Sequence, residues 1–112
     1  FLENGSDGVD AGLELQVYDT SLSGNGSDGL NLIHHGLVSN CLFNGNIDDG
    51  VDVAGLSVLI KDSLFTFNGG FGVEGTSTTV LAGNLFDNNT GGSFDTAVEL
   101  GSNFCDTNTT CP

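Results

Sequence analysis

The sequence has no arginine and one lysine, Lys61, against fifteen acidic residues, so its formal net charge at pH 7 is −14. This charge repels the phosphates of nucleic acids and the head groups of anionic membranes, which argues against either as a direct partner. It also argues against direct recognition of anionic polysaccharides, because arginine and lysine normally supply the contacts to carboxylates.

Tryptophan is absent, Tyr18 is the only tyrosine, and Pro112 is the only proline. Proteins that bind sugars usually present exposed aromatic rings, so the sequence does not indicate an aromatic sugar-binding platform. Binding of neutral sugars through faces of aspartate and asparagine side chains stays open. No stretch has the apolar periodicity of a long helix. The 18 glycines and the many Asn and Asp residues favour the tight corners of an all-β fold, since these residues tolerate positive φ.

The most informative pattern is a repeat of about 21 residues. The segment NGSDG occurs at 4–8 and again at 25–29, with related copies at 46–50 and 68–72. A short apolar alternation follows each copy, and the repeats close on a polar–leucine–aromatic step such as Ser63-Leu64-Phe65. Fixed periods of this length indicate stacked units that bury a core only against their neighbours. The repeat divides the chain into coils 4–24, 25–45, 46–67, 68–88 and 89–112.

Each coil has room for two or three short strands separated by Gly/Asn corners. In coil 46–67 we expect strands at 50–53, 58–60 and 63–65, with alternate residues facing inward. The first and third coils need a one-residue bulge relative to the second and fourth. Stacking of the coils turns equivalent positions into ladders of touching side chains. The predicted ladders are apolar (Val9, Leu30, Val51, Val73), aromatic (Phe43, Phe65, Phe86), outward-facing (Asp10, Asn31, Asp52, Glu74), at a corner (Asp7, Asp28, Asp49) and small polar (Ser21, Cys41, Ser63, Asn84, Asn103).

The segment GVDVAGLSVLIKDSLFTFN, at 50–68, resembles one coil of the right-handed parallel β-helices found in pectin- and alginate-active enzymes, surface proteins and phage tailspikes. The resemblance extends from Asn4 to about Asp106. It implies an all-β, right-handed parallel β-helix (a β-solenoid) of about five coils, forming a single domain over 1–112. It implies little about function, because such coils carry many unrelated activities.

The enzymes of this family suggest one candidate catalytic site, at Asp48, Asp49, His34 and His35. Polygalacturonase-type members use paired aspartates, a Gly-His-Gly step and an Arg-x-Lys motif. In this chain the order of aspartates and histidines is reversed, and no arginine exists for that motif or for a lyase-type base. The Asp-Pro-His-Asp motif of epimerase-type members is absent too. The plainer interpretation is a corner with Asx-type turns at the aspartates and an exposed turn at the histidines, which could alternatively hold a transition metal.

For the acidic residues the sequence suggests either no cofactor or calcium. Stacking would place the like charges of Asp7, Asp28 and Asp49 about 5 Å apart. The outward ladder, which contains Asp10, Asn31, Asp52 and Glu74, raises the same problem. Such charges repel unless they are protonated, splayed into solvent or bridged by a hard cation with oxygen ligands. A calcium site and a solvated acidic face both remain open.

The cysteines and the first residues bear on location and assembly. We expect a Cys105–Cys111 disulfide that closes a C-terminal loop at 105–112, with Cys41 free and buried, which favours an oxidising compartment. Phe1-Leu2 aligns with Phe65-Thr66, so the chain starts within a coil and offers an assembly edge to adjoining coils or to another copy. Glycosylation sequons begin at Asn4, Asn25, Asn88 and Asn108.

These observations favour a non-catalytic structural β-solenoid, located outside the cell or on its surface. It would act as a filament or scaffold subunit, and its partners would be copies of itself or adjoining solenoid coils. The alternative is a fragment of a polysaccharide-active β-helix protein of the lyase, epimerase or hydrolase type, or a carbohydrate-binding module.

Overall fold

The computed structural model describes residues 2–106, which form fifteen short strands and no helix. The strands are β1 (Val9–Ala11), β2 (Leu15–Tyr18), β3 (Ser21–Ser23), β4 (Leu30–Leu32), β5 (Gly36–Ser39), β6 (Leu42–Asn44), β7 (Val51–Val53), β8 (Val58–Lys61), β9 (Leu64–Thr66), β10 (Phe71–Glu74), β11 (Thr79–Ala82), β12 (Leu85–Asp87), β13 (Gly92–Phe94), β14 (Val98–Glu99) and β15 (Phe104–Cys105). Accordingly, the described residues contain no helix that is long and apolar enough to cross a membrane.

Every third strand belongs to the same sheet, so the chain winds through three parallel sheets of five strands. The first sheet has the order β1-β4-β7-β10-β13, the second β2-β5-β8-β11-β14, and the third β3-β6-β9-β12-β15. This architecture confirms the predicted β-solenoid of about five coils. The three strands predicted for coil 46–67 are confirmed to within about one residue at each end.

The core is a set of ladders that run through the coils. Val9, Leu30, Val51 and Val73 are successive partners in the first sheet, as predicted. In the third sheet the rings of Phe43, Phe65 and Phe86 stack with centroids 4.8 and 4.9 Å apart. All three rings are fully buried, so each coil contributes its apolar area only in contact with its neighbours.

One predicted ladder position is wrong. Ser21 pairs with Leu42, so Thr20 rather than Ser21 lies beside Cys41 in the small polar ladder. The reason is that Leu22 is fully buried in the column of Phe43, where an apolar side chain must face inward. With this register the first two coils pair 21 residues apart in all three sheets, and the first coil needs no bulge.

The extra residue of the third coil lies in the connection between the first and second sheets. Leu32 pairs with Val53, 21 positions along, whereas Gly36 pairs with Val58, 22 positions along. The connection 54–57 therefore holds one residue more than the connection 33–35. Phe1, Asn108 and Cys111 lie outside the described residues, as do the predicted disulfide and most of the loop 105–112.

Candidate functional site

The predicted corner aspartates form a hydrogen-bonded ladder. The backbone N–H of Asp28 donates to Oδ1 of Asp7 at 3.1 Å, and that of Asp49 donates to Oδ1 of Asp28 at 2.9 Å. In the next coil the backbone N–H of Phe71 donates to Oδ1 of Asp49 at 2.6 Å. Each carboxylate thus ties its own corner to the following coil. Charge-assisted bonds of this kind are stronger than neutral ones, which offsets part of the repulsion between the stacked acids.

Further acids gather around this ladder and form what we call the acidic corner: Asp28, Asp48, Asp49, Asp52 and Glu74. Carboxylate oxygens of Asp28, Asp48 and Asp49 lie within 4.8 Å of one another, and so do those of Asp49, Asp52 and Glu74. Asp49 belongs to both groups and is only 3% exposed. The acidic corner therefore brings together one carboxyl group of the second coil, three of the third coil and one of strand β10 in the fourth coil.

A glycine makes room for these side chains. Gly70 stacks on the Asp48–Asp49 step, and a Cβ atom at position 70 would collide with the carboxylates of both aspartates. The fourth copy of the repeat reads NGGFG and has no aspartate at this place. The carboxylates of the third coil consequently occupy space that a side chain of the fourth coil would otherwise fill.

Burial dominates the electrostatics of the acidic corner. It raises the pKa of Asp28 to about 6, with smaller contributions from the charges of Asp52, Asp7 and Asp48, against the opposing hydrogen bond from Asp49. Burial likewise raises the pKa of Asp49 to about 7; the hydrogen bond with the Glu74 side chain and the charge of Asp48 add to it. The pKa of Asp52 is raised by burial and then by the charge of Glu74.

The structure brings some of the predicted calcium ligands together and separates others. Asp28, Asp49 and Asp52 belong to the acidic corner, whereas Asp7 and Asp10, in the first coil, belong to neither group of three. Asp10 does occupy the predicted outward row, since it pairs with Asn31, which pairs with Asp52. An all-oxygen set of this kind has the chemistry that hard cations prefer. Calcium binding stays a prediction.

The two halves of the predicted catalytic set lie at opposite ends of the first sheet. Asp48 and Asp49 lie just before strand β7, separated from it by Gly50, whereas the exposed His34 and His35 follow strand β4, the neighbour of β7. Neither group of ligating side chains found within residues 2–106 includes a histidine. The acidic residues grouped with this aspartate pair are therefore Asp28, Asp52 and Glu74.

Asparagines at the start of each repeat form a second, buried ladder that sequence reasoning did not identify. The Nδ2 group of Asn25 donates to Oδ1 of Asn46 at 2.9 Å, Asn46 donates to Asn68 at 2.9 Å, and Asn68 donates to Asn89 at 2.8 Å. Asn4 continues the ladder by donating to Asn25 at 3.0 Å. The signal was the asparagine at the first position of each copy. Because Asn25 is fully buried, its sequon cannot be glycosylated in the folded chain.

The small polar ladder is confirmed apart from Ser21. The backbone N–H of Cys41 donates to Oγ of Ser63, that of Ser63 donates to Oδ1 of Asn84, and that of Asn84 donates to Oδ1 of Asn103. Cys41 is a free, buried cysteine, as predicted. Its thiol donates toward the carbonyl of Ser39 at 3.3 Å.

Leu2 adds one more residue to the edge of the third sheet, beside strand β3. It forms a parallel bridge with Ser23, which pairs with Asn44, and Asn44 pairs with Thr66. The predicted equivalence of Leu2 with Thr66 is therefore confirmed. The Leu2 side chain is 64% exposed.

Comparison with known proteins agrees with this architecture. A family profile described as right-handed beta helix region matches residues 3–110. No curated protein and no solved structure matches the chain. The parallel three-sheet winding, the ladders and this match lead to one conclusion: the chain belongs to the right-handed β-helix family.

Proposed function

We propose that this chain is a non-catalytic structural module of an extracellular or cell-surface β-solenoid, and that it associates end to end with further coils. Those coils belong to other copies of the chain or to an adjoining part of the same solenoid. The placement outside the cell rests on the predicted Cys105–Cys111 disulfide, because such bonds persist in oxidising compartments.

The observation that carries the proposal is the direction of the asparagine ladder. Within it, each Oδ1 accepts from the backbone N–H and the Nδ2 of the preceding coil, as Asn46 does from Asn25. At the first coil, no described residue donates to Oδ1 of Asn4. At the last, Oδ1 of Asn89 accepts from Asn68 and its Nδ2 bonds back to the carbonyl of Phe65. No described residue accepts from the backbone N–H of Asn89.

Within residues 2–106 the ladder thus has an acceptor end at Asn4 and a donor end at Asn89. A further coil placed about 4.8 Å beyond either end would repeat the bonds made between the internal coils. The edges of the first two sheets agree with this direction. Among the described residues, β1 and β2 pair on one side only, with strands of the second coil, whereas β3 also carries the single bridge from Leu2. Such a head-to-tail contact is heterologous, so it propagates along the axis when it does not close.

Negative-stain electron microscopy of the purified chain tests the proposal. We expect filaments with an axial repeat of about 24 Å, which is five coils at the strand spacing. The variant Asn4→Lys should not elongate, and added to wild-type chain it should shorten the filaments in proportion to its amount, because it retains a functional donor end. Asn88→Lys, which changes an exposed asparagine outside the ladder, should assemble normally.

Two results would contradict end-to-end association. One is a monodisperse monomer of the wild-type chain at all concentrations in light scattering. The other is assembly that Asn4→Lys and Asn88→Lys disturb equally, since lateral aggregation would not depend on the end of the ladder.

A second candidate function has one specific observation in its favour. Carboxyl groups with raised pKa values concentrate at catalytic sites, and Asp49, with a pKa of about 7, lies beside Asp48. A polysaccharide-active fragment would release new sugar ends from a neutral polysaccharide, and Asp49→Asn would abolish that release while Asp10→Asn would not. Absence of release by the wild-type chain across a panel of neutral polysaccharides would eliminate this candidate.

A further inference from the structure

An open groove runs along the corner between the second and third sheets. It has a volume of about 610 Å³, and it is lined by equivalent residues of the first four coils. Its floor contains Leu42, Leu64 and Leu85, which lie in one outward-facing row of the third sheet. Leu85 is 40% exposed, and the other two leucines are partly buried. The floor is therefore an apolar stripe parallel to the solenoid axis.

One wall of the groove carries negative charge. It is built from Asp19, Asn40, Asp62 and Gly83, four equivalent residues that all adopt positive φ. Nδ2 of Asn40 donates to Oδ1 of Asp19 at 2.7 Å. The position of a Cβ atom at Gly83 would lie 2.6 Å from Oδ1 of Asp62, so the absence of a side chain there leaves the Asp62 carboxylate uncovered by the next coil.

The negative charge of the groove disfavours acidic ligands and favours cationic ones. Its lining contains two aspartates and no basic residue. A second copy of the chain would bring a net charge of −14 and a single lysine, and nucleic acids or acidic polymers would be repelled in the same way. A complementary occupant needs cationic groups for the wall and apolar groups for the floor.

We propose that this groove binds an extended polypeptide segment in which basic and apolar residues alternate. Four coils span about 14 Å along the axis, which is the length of about four extended residues. Alternate side chains of such a segment point to opposite sides, so one set can contact the leucine floor while the other reaches Asp19 and Asp62. This inference is independent of the end-to-end association proposed above, because the groove lies on the side of the solenoid.

Fluorescence anisotropy with two labelled octapeptides tests the inference. One peptide alternates lysine with leucine; the other alternates lysine with serine and has the same charge. We expect the lysine–leucine peptide to bind at least tenfold more tightly than the lysine–serine peptide. Raising the salt concentration should weaken both, because the carboxylates are exposed.

Matched variants locate the binding. Leu64→Ser and Asp62→Asn should each weaken binding of the lysine–leucine peptide about fivefold to tenfold. Both substitutions copy residues already found at equivalent positions, Ser21 and Asn40, so the fold tolerates them. The controls are Leu59→Ser, an outward leucine of the second sheet, and Asp10→Asn, an outward acid of the first sheet; each should change binding less than twofold.

Circular dichroism melting confirms that each variant is folded before binding is measured. Equal losses for Asp62→Asn and Asp10→Asn would overturn the inference, since they would indicate attraction to the overall charge. Equal affinity for the two peptides would overturn the apolar floor, and no binding at millimolar peptide would overturn the groove as a site.

Discussion

The acidic corner predicts that the folded chain is stabilised by mild acid. Asp49 is 3% exposed, and its pKa is about 7, against 3.8 for an unperturbed carboxyl group. Because the folded-state pKa is the higher one, the folded chain takes up a proton more readily than the unfolded chain does. The stabilisation is complete below pH ~4 and is lost as the pH rises through 7.

The size of this effect follows from the shift. One pKa unit corresponds to about 1.4 kcal/mol, so between pH 8 and pH 5 Asp49 alone should add about 3 kcal/mol to the free energy of unfolding. Asp28, whose pKa is about 6, acts in the same direction with a smaller amount. For a chain of this length, 3 kcal/mol corresponds to a rise of about 10 °C in Tm.

The assay is thermal and urea denaturation at pH 5 and pH 8, at constant ionic strength and with a chelator present. Asp49→Asn should raise the stability at pH 8 and flatten the pH dependence, because its neutral amide oxygen can still accept from the N–H of Phe71. Asp10→Asn, outside both carboxylate groups, should leave the dependence intact. A wild-type chain that is more stable at pH 8 than at pH 5 would refute the reasoning, as would equal effects of the two variants.

Three further predictions concern the ladders and the cation. Phe65→Ala should lower the free energy of unfolding by about 3–5 kcal/mol in urea denaturation, because it leaves a cavity between two stacked rings; a loss under 1 kcal/mol would contradict the buried stack. Asn68→Ala should cost about 3 kcal/mol, since it removes bonds to Asn46 and Asn89 inside the core, whereas Asn88→Gly, at an exposed position with positive φ, should cost under about 0.5 kcal/mol. Millimolar calcium should raise the Tm at pH 8 by several degrees in the wild type and not in Asp49→Asn; an unchanged wild-type Tm would eliminate calcium at the acidic corner.

Part of the acidic corner could be predicted from the sequence pattern. The spacing of Asp28 and Asp49 placed them in one column, because equivalent residues of a solenoid must stack. The sequence also placed Glu74 beside Asp52 and Asp48 beside Asp49. It did not indicate that Asp49 would join the corner column to the outward row, since that depends on how the corner turns its side chains and on the room left by Gly70. The separation of the histidines from Asp49 likewise follows from the path of the first sheet.

The sequence by itself determined the period, the all-β class and the inward columns such as Val51 and Phe65, because a strand alternates its faces and a constant repeat aligns equivalent residues. Only the tertiary structure decided three other features: the burial of the asparagine ladder, the register of Ser21, and the groove beside Asp62. Their physical reason is shared. Each feature adjoins corners with positive φ. Residues as different as Gly45, Asp62 and Phe67 occupy these corners, so their identity does not indicate which way their neighbours will face.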